Sequence, residues 1–426
     1  MNSGHEIAFE RHRLDNGLRV LLHPDRRLPL TAVNLWYRVG SKNERPGRTG
    51  FAHLFEHMLF QGSEHVGTND HFRHLQRIGG VANGSTWYDR TNYYETVPAQ
   101  ELDLALWLES DRMGFLLPGL DQKKLDTQRD VVMNERRQRV DNQPYGRPFE
   151  HLFELLVPAD HPYHWPVIGY MEDIEAATLE EVHAFFRTWY GPANAVLTVA
   201  GDFDPAEALA RVEHWFGDLP GGPPPIHGSW PLPPLGTAVE ETVEDDVRLS
   251  RVYMAFRTEP FATDDWFATS LLATLLADGK SSPLYRDLVW ERQLAQEVAC
   301  YLYPTSEIGV LLVVATARPG SEPQALAAAL RAHLDRAASG DLLTADHLDR
   351  ARNKTLAGQW AELETLDHRA DQLSMYTSLF DRPDLAGSEP ARYAACRAED
   401  LARVAATRLA AHQAVTLTVV PRRSAA

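Results

Sequence analysis

A segment rich in proline and glycine, residues 219–236, divides the sequence into two parts of nearly equal length. Proline fixes φ and has no backbone N–H, so neither a helix nor a central strand can run through this segment. A chain of 426 residues is also longer than one hydrophobic core usually supports. We therefore predict two domains, residues 1–218 and 237–426, which are joined by a linker at residues 219–236.

Both parts contain similar predicted elements in the same order. The first part gives a hairpin signal at 14–18, a strand at 33–39, an apolar helix at 51–60, a β-rich stretch at 80–97, helices at 102–114 and 122–140, and a strand at 195–200. The second part gives a strand at 251–256, a helix at 266–276, β-like segments within 299–317, helices at 323–338 and 345–366, and a strand at 414–420. This repetition predicts an internal duplication of an α+β fold, in which a sheet covered by helices is built twice.

Composition and charge narrow the possible partners. With 44% hydrophobic and 24% charged residues, the chain has the composition of a soluble globular protein. The formal net charge of −17 argues against nucleic acid, whose phosphates are neutralised by clustered Lys and Arg. The start of the chain lacks the apolar run of a signal peptide, and no later run has the length of a membrane span. We expect a cytoplasmic protein with neither a nucleic-acid nor a membrane partner.

Residues 49–62 predict a short, buried helix that carries a chelating pair. Thr49 is a plausible N-cap and Gly62 a plausible stop, and most of the side chains between them are apolar. His53 and His57 are four residues apart, so they share a helix face and can hold one ion through their ring nitrogens. Glu56 projects about 60° to the side of that face. This is the place of a general base for a zinc-activated water.

A catalytic zinc ion has three protein ligands and an open position, so a third ligand must come from elsewhere in the chain. Glu135 is the best candidate, because on its predicted helix it shares a face with Leu125, Val131 and Val132. An acid on an apolar face is costly unless it is paired or bound to a metal. Arg136, the next residue, is expected on another face, in solvent or in an ion pair. The sequence thus predicts one zinc ion per chain.

These residues resemble the pitrilysin and mitochondrial processing peptidase family of zinc metallopeptidases, which carries the inverted motif His-x-x-Glu-His. Glu135 follows His57 at about the separation usual in that family, and residues 80–98 resemble its substrate-binding edge strand. Further similarity is found at residues 161–163, Gly169, 190–194 and 201–203. The resemblance therefore covers nearly the whole chain and indicates a bacterial-type subunit that bears the zinc motif.

The resemblance implies two homologous domains that form half of a clamshell chamber, in which peptides are cleaved in extended form. Binding by strand addition contacts the peptide main chain more than its side chains. The implied roles are zinc binding by His53, His57 and Glu135, general-base catalysis by Glu56, and peptide binding by Asn83, Gly84 and Ser85.

Gln128 departs from the family pattern, which often has a glutamate seven residues before the third ligand. A neutral amide can still donate a hydrogen bond near the ligands. It lowers the local negative charge, however, and this change is expected to weaken zinc binding.

The second departure lies in the second part of the chain. Val289 and Gln296 stand where family members with a complete substrate clamp have an arginine and a tyrosine. We therefore expect a related subunit to supply both groups, in a heterodimer or heterotetramer. In the alternative, Arg286 or Arg292 moves in, helped by Tyr285, and a homodimer or a monomer suffices.

Two functions remain as hypotheses. The first is a zinc-dependent endopeptidase or oligopeptidase subunit, in which Glu56 activates the water that attacks a bound peptide. The second is a non-catalytic core or scaffold subunit of a family complex. The complete zinc set favours the enzyme, because a scaffold has no need to retain it.

Overall fold

The protein is described by a computed structural model that covers residues 7–422. The strands are β1 (Glu10–Arg13), β2 (Arg19–Pro24), β3 (Leu30–Tyr37), β4 (Val81–Thr86), β5 (Thr91–Pro98), β6 (Ala195–Gly201), β7 (Val239–Asp245), β8 (Arg251–Thr258), β9 (Ala295–Tyr303), β10 (Gly309–Ala317) and β11 (Val415–Pro421). The α-helices are α1 (Phe51–Met58), α2 (Asp70–Arg77), α3 (Leu102–Gly119), α4 (Gln122–Arg136), α5 (Gly146–Leu156), α6 (Met171–Glu175), α7 (Leu179–Trp189), α8 (Pro205–Phe216), α9 (Asp264–Ala277), α10 (Pro323–Ala338), α11 (Ala345–Leu363), α12 (Leu366–Phe380), α13 (Glu389–Ala395) and α14 (Ala398–Arg408). π-helical turns occur at Arg137–Asp141 and Tyr285–Glu291.

The two sheets repeat one topology. The first has the strand order β1-β2-β6-β3-β5-β4, and the second has the order β7-β11-β8-β10-β9. Strand β2 is parallel to β6 and β7 is parallel to β11, whereas the other neighbouring strands are antiparallel. Apart from the additional β1, the strands follow each other in the same spatial order. The predicted α+β fold with two related sheets is thus confirmed.

Close contacts divide the chain into two compact units whose segments alternate along the sequence. The first unit comprises the described residues up to Arg136, Trp165–Gly228 and Trp360–Glu389; the second comprises Arg137–His164, Ser229–Gln359 and the described residues from Pro390 onward. Residues 219–236 contain neither helix nor strand, as their prolines predicted. The domain boundaries at 218 and 237 stay a prediction.

Each half of the chain gives one helix to the sheet of the other half. Helix α12 follows α11 in the second half but packs on β3 and β6 of the first unit, and α5 follows α4 in the first half but packs on β8 and β11 of the second unit. Because helices cover both faces of the central strands, β3 and β6 are buried at nearly every position. Neither helix was predicted from the sequence.

Polar contacts fix α12 on the first sheet. Asp371 accepts hydrogen bonds from Trp36 Nε1 at 2.7 Å and from Asn34 Nδ2 at 3.2 Å. The hydroxyls of Thr198 and Ser374 lie 2.8 Å apart. A buried polar group costs free energy unless it finds such a partner, so these pairs specify both the helix and its register.

Three helix predictions need correction. The helix expected at 51–60 ends at Met58, and the one expected at 122–140 changes to a π-helical turn after Arg136. The helix expected at 345–366 ends at Leu363, and a separate helix, α12, begins at Leu366. Within residues 7–422, no helix combines the length and the apolar character that crossing a lipid bilayer requires.

We predict that a fragment of residues 1–218 will not fold stably alone, because without α12 one face of β3 and β6, including Trp36 and Val196, is uncovered. Mixing it with residues 219–426 should restore near-ultraviolet circular dichroism and a cooperative urea transition. A monomeric 1–218 fragment that unfolds cooperatively at the midpoint of the whole chain would contradict this expectation.

Candidate metal centre

Helix α1 begins at a turn that is held by the partly buried carboxylate of Glu44. Gly50, with φ 84°, is its N-cap, and not Thr49 as predicted. Glu44 accepts hydrogen bonds from the N–H groups of Gly50 at 2.9 Å and Ala52 at 2.8 Å. These N–H groups have no partner within the helix, so Glu44 does what a capping side chain would do. Burial nevertheless raises the pKa of Glu44 well above its usual value.

The apolar side chains of α1 are buried as predicted. Phe51, Ala52, Leu54, Phe55 and Met58 are all buried. The remaining side of the helix carries the polar residues, which are partly exposed. The helix is therefore fixed by its core contacts and presents its chelating pair at the surface of the unit.

The structure brings His53, His57 and Glu135 together. Glu135 Oε2 lies 3.3 Å from His57 Nε2 and 3.7 Å from His53 Nε2, and one ligand atom of each residue lies within 4.8 Å of the others. Ligand atoms on a tetrahedral zinc ion, with bonds of about 2.0–2.2 Å, are about 3.3–3.6 Å apart. Two imidazoles, one carboxylate and these separations fit a zinc ion with an open position.

Glu56 lies beside this group and has a partner of its own. Its Oε2 accepts a hydrogen bond from Thr86 Oγ1 at 2.7 Å. Burial raises the pKa of Glu56, and the Thr86 hydrogen bond, His57 and Arg90 oppose that rise. The carboxylate is thus oriented by β4, the strand next to α1.

Strand β4 is the edge of the first sheet and pairs, within residues 7–422, with β5. At Gly84 a Cβ atom would come within 3.1 Å of Glu56 Cγ and 3.2 Å of both Phe60 and Tyr93. Gly84 is therefore the residue that permits β4 to approach α1 closely. Asn83 is exposed, and its Oδ1 accepts a hydrogen bond from the N–H of Gly84 at 2.9 Å.

Ser85 is linked to residues that the sequence analysis missed. Its hydroxyl donates to Asn92 Oδ1 at 2.7 Å, and its carbonyl accepts from Arg90 Nη1 at 2.6 Å. Asn92 in turn donates to Asp371 Oδ1 on α12 at 2.8 Å. Thr86 is the missed residue that the sequence could have indicated. Side chains alternate along a strand, so Thr86 lies on the same face of β4 as Gly84, the face that approaches Glu56.

Helix α4 differs from its prediction at Val131, and at Arg136 the structure excludes one of the two expected settings, solvent exposure. Leu125 and Val132 are buried as expected, but Val131 is 42% exposed. Arg136 is buried, not solvent-exposed, and its Nη1 donates to the carbonyl of Gly169 at 2.9 Å. Gln128 is buried two turns before Glu135.

The positions that depart from the clamp pattern lie in the second unit. Val289 is buried in the π-helical turn Tyr285–Glu291, and Gln296 is exposed on β9. Arg286 donates to Glu291 at 2.8 Å, and Arg292 lies 3.6 Å from Asp287. Both guanidinium groups are thus in exposed local ion pairs.

A second group of potential ligands within residues 7–422 consists of His71, Glu95 and Glu109. All three are buried, and burial raises the pKa of both carboxyls to about 7. Arg112 Nε donates to Glu109 Oε2 at 2.9 Å. A metal ion here would lie next to a buried guanidinium, so we interpret this group as an ion-pair network.

Two family models match the chain. Residues 19–159 match the insulinase family (peptidase family M16), and residues 176–355 match the peptidase M16 inactive domain. The chain is 30% identical over 400 residues to the zinc protease PqqE of Helicobacter pylori, with 92% of this chain and 88% of that protein covered. The chain belongs to peptidase family M16.

Solved structures agree with this assignment. The structure of a protease from Helicobacter pylori is similar with a TM-score of 0.89 and 29% identity, covering 97% of this chain and all of that one, 100%. A peptidase M16 inactive domain from Pseudomonas fluorescens has the same fold, with a TM-score of 0.86 at 17% identity and 98% of each chain covered. The relatives support a peptidase-like role and zinc as the metal.

Replacing Gly84 with alanine should destabilise the protein by about 1 kcal/mol, because overpacking costs about 1–3 kcal/mol and removing a glycine returns about 0.4–1 kcal/mol. The free energy of unfolding in urea is the measurement. Gly222→Ala is the matched control, since a Cβ atom there meets nothing within 4 Å. Equal stability of the two variants would show that β4 does not closely approach Glu56.

Proposed function

We propose that this chain is a zinc-dependent peptidase subunit that hydrolyses peptides bound in extended form. The observation that carries the proposal is the convergence of His53 Nε2 and His57 Nε2 on Glu135 Oε2, with the Glu56 carboxylate beside them. The zinc ion would polarise the scissile carbonyl and lower the pKa of a water to roughly 7. The family assignment supports the same reaction class.

Glu56 is the proposed general base. Its carboxylate takes a proton from the attacking water and passes that proton to the leaving amine. The hydrogen bond from Thr86 holds Oε2 in one orientation, so the other carboxylate oxygen is left for proton transfer. A base needs such positioning, because hydrogen-bond reach to the reacting proton comes before any adjustment of pKa.

The proposed peptide site is the edge of β4 at Asn83, Gly84 and Ser85. An edge strand offers main-chain N–H and C=O groups to an added strand, and these groups provide affinity without a strong side-chain preference. Gly84 has no side chain that could intervene between the added strand and Glu56. Arg90 already donates a hydrogen bond to the Ser85 carbonyl, so we expect the peptide to pair mainly with the neighbouring main-chain groups of β4.

The alternative is a non-catalytic subunit, which the match of residues 176–355 to an inactive domain favours. The inactive-domain match lies outside the segments that carry His53, His57 and Glu135. We therefore prefer the enzyme. Stoichiometric zinc in the purified protein that is lost in His53→Ala would exclude an inert scaffold.

We predict that Glu56→Gln keeps zinc and abolishes hydrolysis, because only the proposed base is changed. Glu135→Gln should instead weaken zinc binding, because a charged ligand becomes a neutral amide. Zinc content and peptide hydrolysis are measured for both variants. The two variants are each other's control, since each removes one carboxylate from the same site. Loss of zinc in Glu56→Gln, or full activity and normal zinc in Glu135→Gln, would mean that the roles are assigned wrongly.

We also propose that a related subunit completes the active site. The tetrahedral intermediate carries negative charge on the former carbonyl oxygen, and donors aimed at that oxygen usually make the largest contribution to catalysis. Val289 has no side-chain donor, and Gln296 is a weak substitute for a phenol. A partner that supplies an arginine and a tyrosine would restore both groups, in a heterodimer or heterotetramer.

The cytoplasmic location inferred from the sequence stays a prediction.

The isolated chain should hydrolyse peptides at least about a hundredfold more slowly than the chain co-expressed with a related chain, because one lost oxyanion donor typically costs about that much. Arg286→Ala and Arg292→Ala test the rearranged-arginine alternative in the isolated chain. Full activity of the isolated chain, undiminished by either substitution, would exclude both the partner and the rearrangement.

A further inference from the structure

The proposed zinc ligands come from two helices, and neither helix by itself determines where the other one lies. His53 and His57 lie on α1, and Glu135 lies in the last turn of α4. Ligand positions have to be held within about 0.5 Å for a metal site to be preorganised. Some contact must therefore fix the end of α4 against the start of α1.

Residues 168–173 contact the start of α1 directly through the main chain. A Cβ atom at Gly169 would come within 2.4 Å of Gly50 Cα, and one at Gly50 would come within 2.7 Å of the Ile168 carbonyl oxygen. Both glycines have positive φ, 84° at Gly50 and 78° at Gly169. The two backbones thus pack without an intervening side chain, an arrangement that other residues would not permit.

Hydrogen bonds join the same two segments. Thr49 Oγ1 accepts from the N–H of Tyr170 at 2.9 Å and donates to Asp173 Oδ2 at 2.7 Å. The N–H of Thr49 also donates to Asp173 Oδ2, at 3.0 Å. The residue that the sequence suggested as an N-cap therefore attaches α1 to residues 168–173 instead.

Arg136 attaches the other helix to this segment. It follows Glu135 directly, its side chain is buried, and its Nη1 donates to the Gly169 carbonyl at 2.9 Å. Gly169 therefore contacts α1 through its backbone and α4 through its carbonyl. A hydrogen bond from a charged donor is stronger than one between neutral groups, so this contact resists movement of the helix end.

We propose that Arg136 and residues 168–173 position Glu135 relative to His53 and His57 and so determine the affinity and geometry of metal binding. The inference rests on the proposed zinc site. None of these residues is a ligand. They act through the ligand-bearing helices, and residues that orient ligands commonly change metal affinity by about 10–100-fold when they are removed.

The test compares Arg136→Met, Arg136→Lys and the control Arg129→Met. Arg129 is matched, since it lies on α4 and donates to the carbonyls of Glu175 at 2.9 Å and Ala177 at 3.0 Å. It precedes Glu135 by more than one and a half turns of the helix. Zinc affinity is measured by competition with a chelator, Co²⁺ absorption reports the coordination geometry, and urea unfolding gives the stability of the metal-free protein.

Arg136→Met should bind zinc at least about tenfold more weakly than the wild type and should change the Co²⁺ spectrum. Arg136→Lys, which keeps a charged donor, should recover most of the affinity. Arg129→Met should lose stability and keep both the zinc affinity and the Co²⁺ spectrum. If Arg136→Met does not fold, Thr49→Val replaces it with the same expected result, because it removes the hydroxyl bonds and keeps the shape.

Three outcomes overturn the inference. If the wild type binds zinc and Arg136→Met binds it equally well, the positioning role is wrong and the proposed function stands. If Arg129→Met and Arg136→Met lose zinc affinity in proportion to stability, the effect is general destabilisation. A wild type that binds no zinc would overturn the proposed function together with this inference.

Discussion

The structure of the first unit depends on how α1 is buried. An apolar helix of eight residues gains most of its stability from tertiary packing, and its first N–H groups must find partners outside the helix. Glu44 supplies those partners, and Thr49 and Gly50 fix the helix against residues 168–173. With the apolar sides held in the core, the polar side carries His53 and His57 toward Glu135 and carries Glu56 toward β4.

A second set of contacts joins the candidate peptide site to the other half of the chain. Asp371 on α12 accepts from Asn92, which accepts from Ser85 on β4. Arg90 donates to the Ser85 carbonyl and lies near enough to Glu56 to lower its pKa. The strand proposed to bind peptide therefore packs against α1 and is linked through Asn92 on β5 to α12, a helix that follows it by more than two hundred residues.

The features that could be predicted from the sequence are those that residues close together in the chain determine. The spacing of His53 and His57 specifies a shared helix face, the turn signal at residues 14–18 specifies the first hairpin, and prolines specify an irregular segment at 219–236. The placement of Glu135 was predictable because an acid among buried residues needs a partner. In contrast, α12, Glu44 and Arg136 owe their positions to contacts between distant segments, and composition or periodicity carries little information about such contacts. The exposure of Val131 likewise depends on contacts between distant segments, so the sequence pattern did not predict it.

The exchange of helices explains how the second half can depart from the family pattern and still be indispensable. Val289 and Gln296 offer neither a guanidinium nor a phenol, whereas residues 366–380 cover one face of β3 and β6. The first sheet therefore depends on the second half through α12, whether or not β9 contributes to catalysis. If a partner supplies the missing donors, as we propose, the second half of the chain is still required because it carries α12.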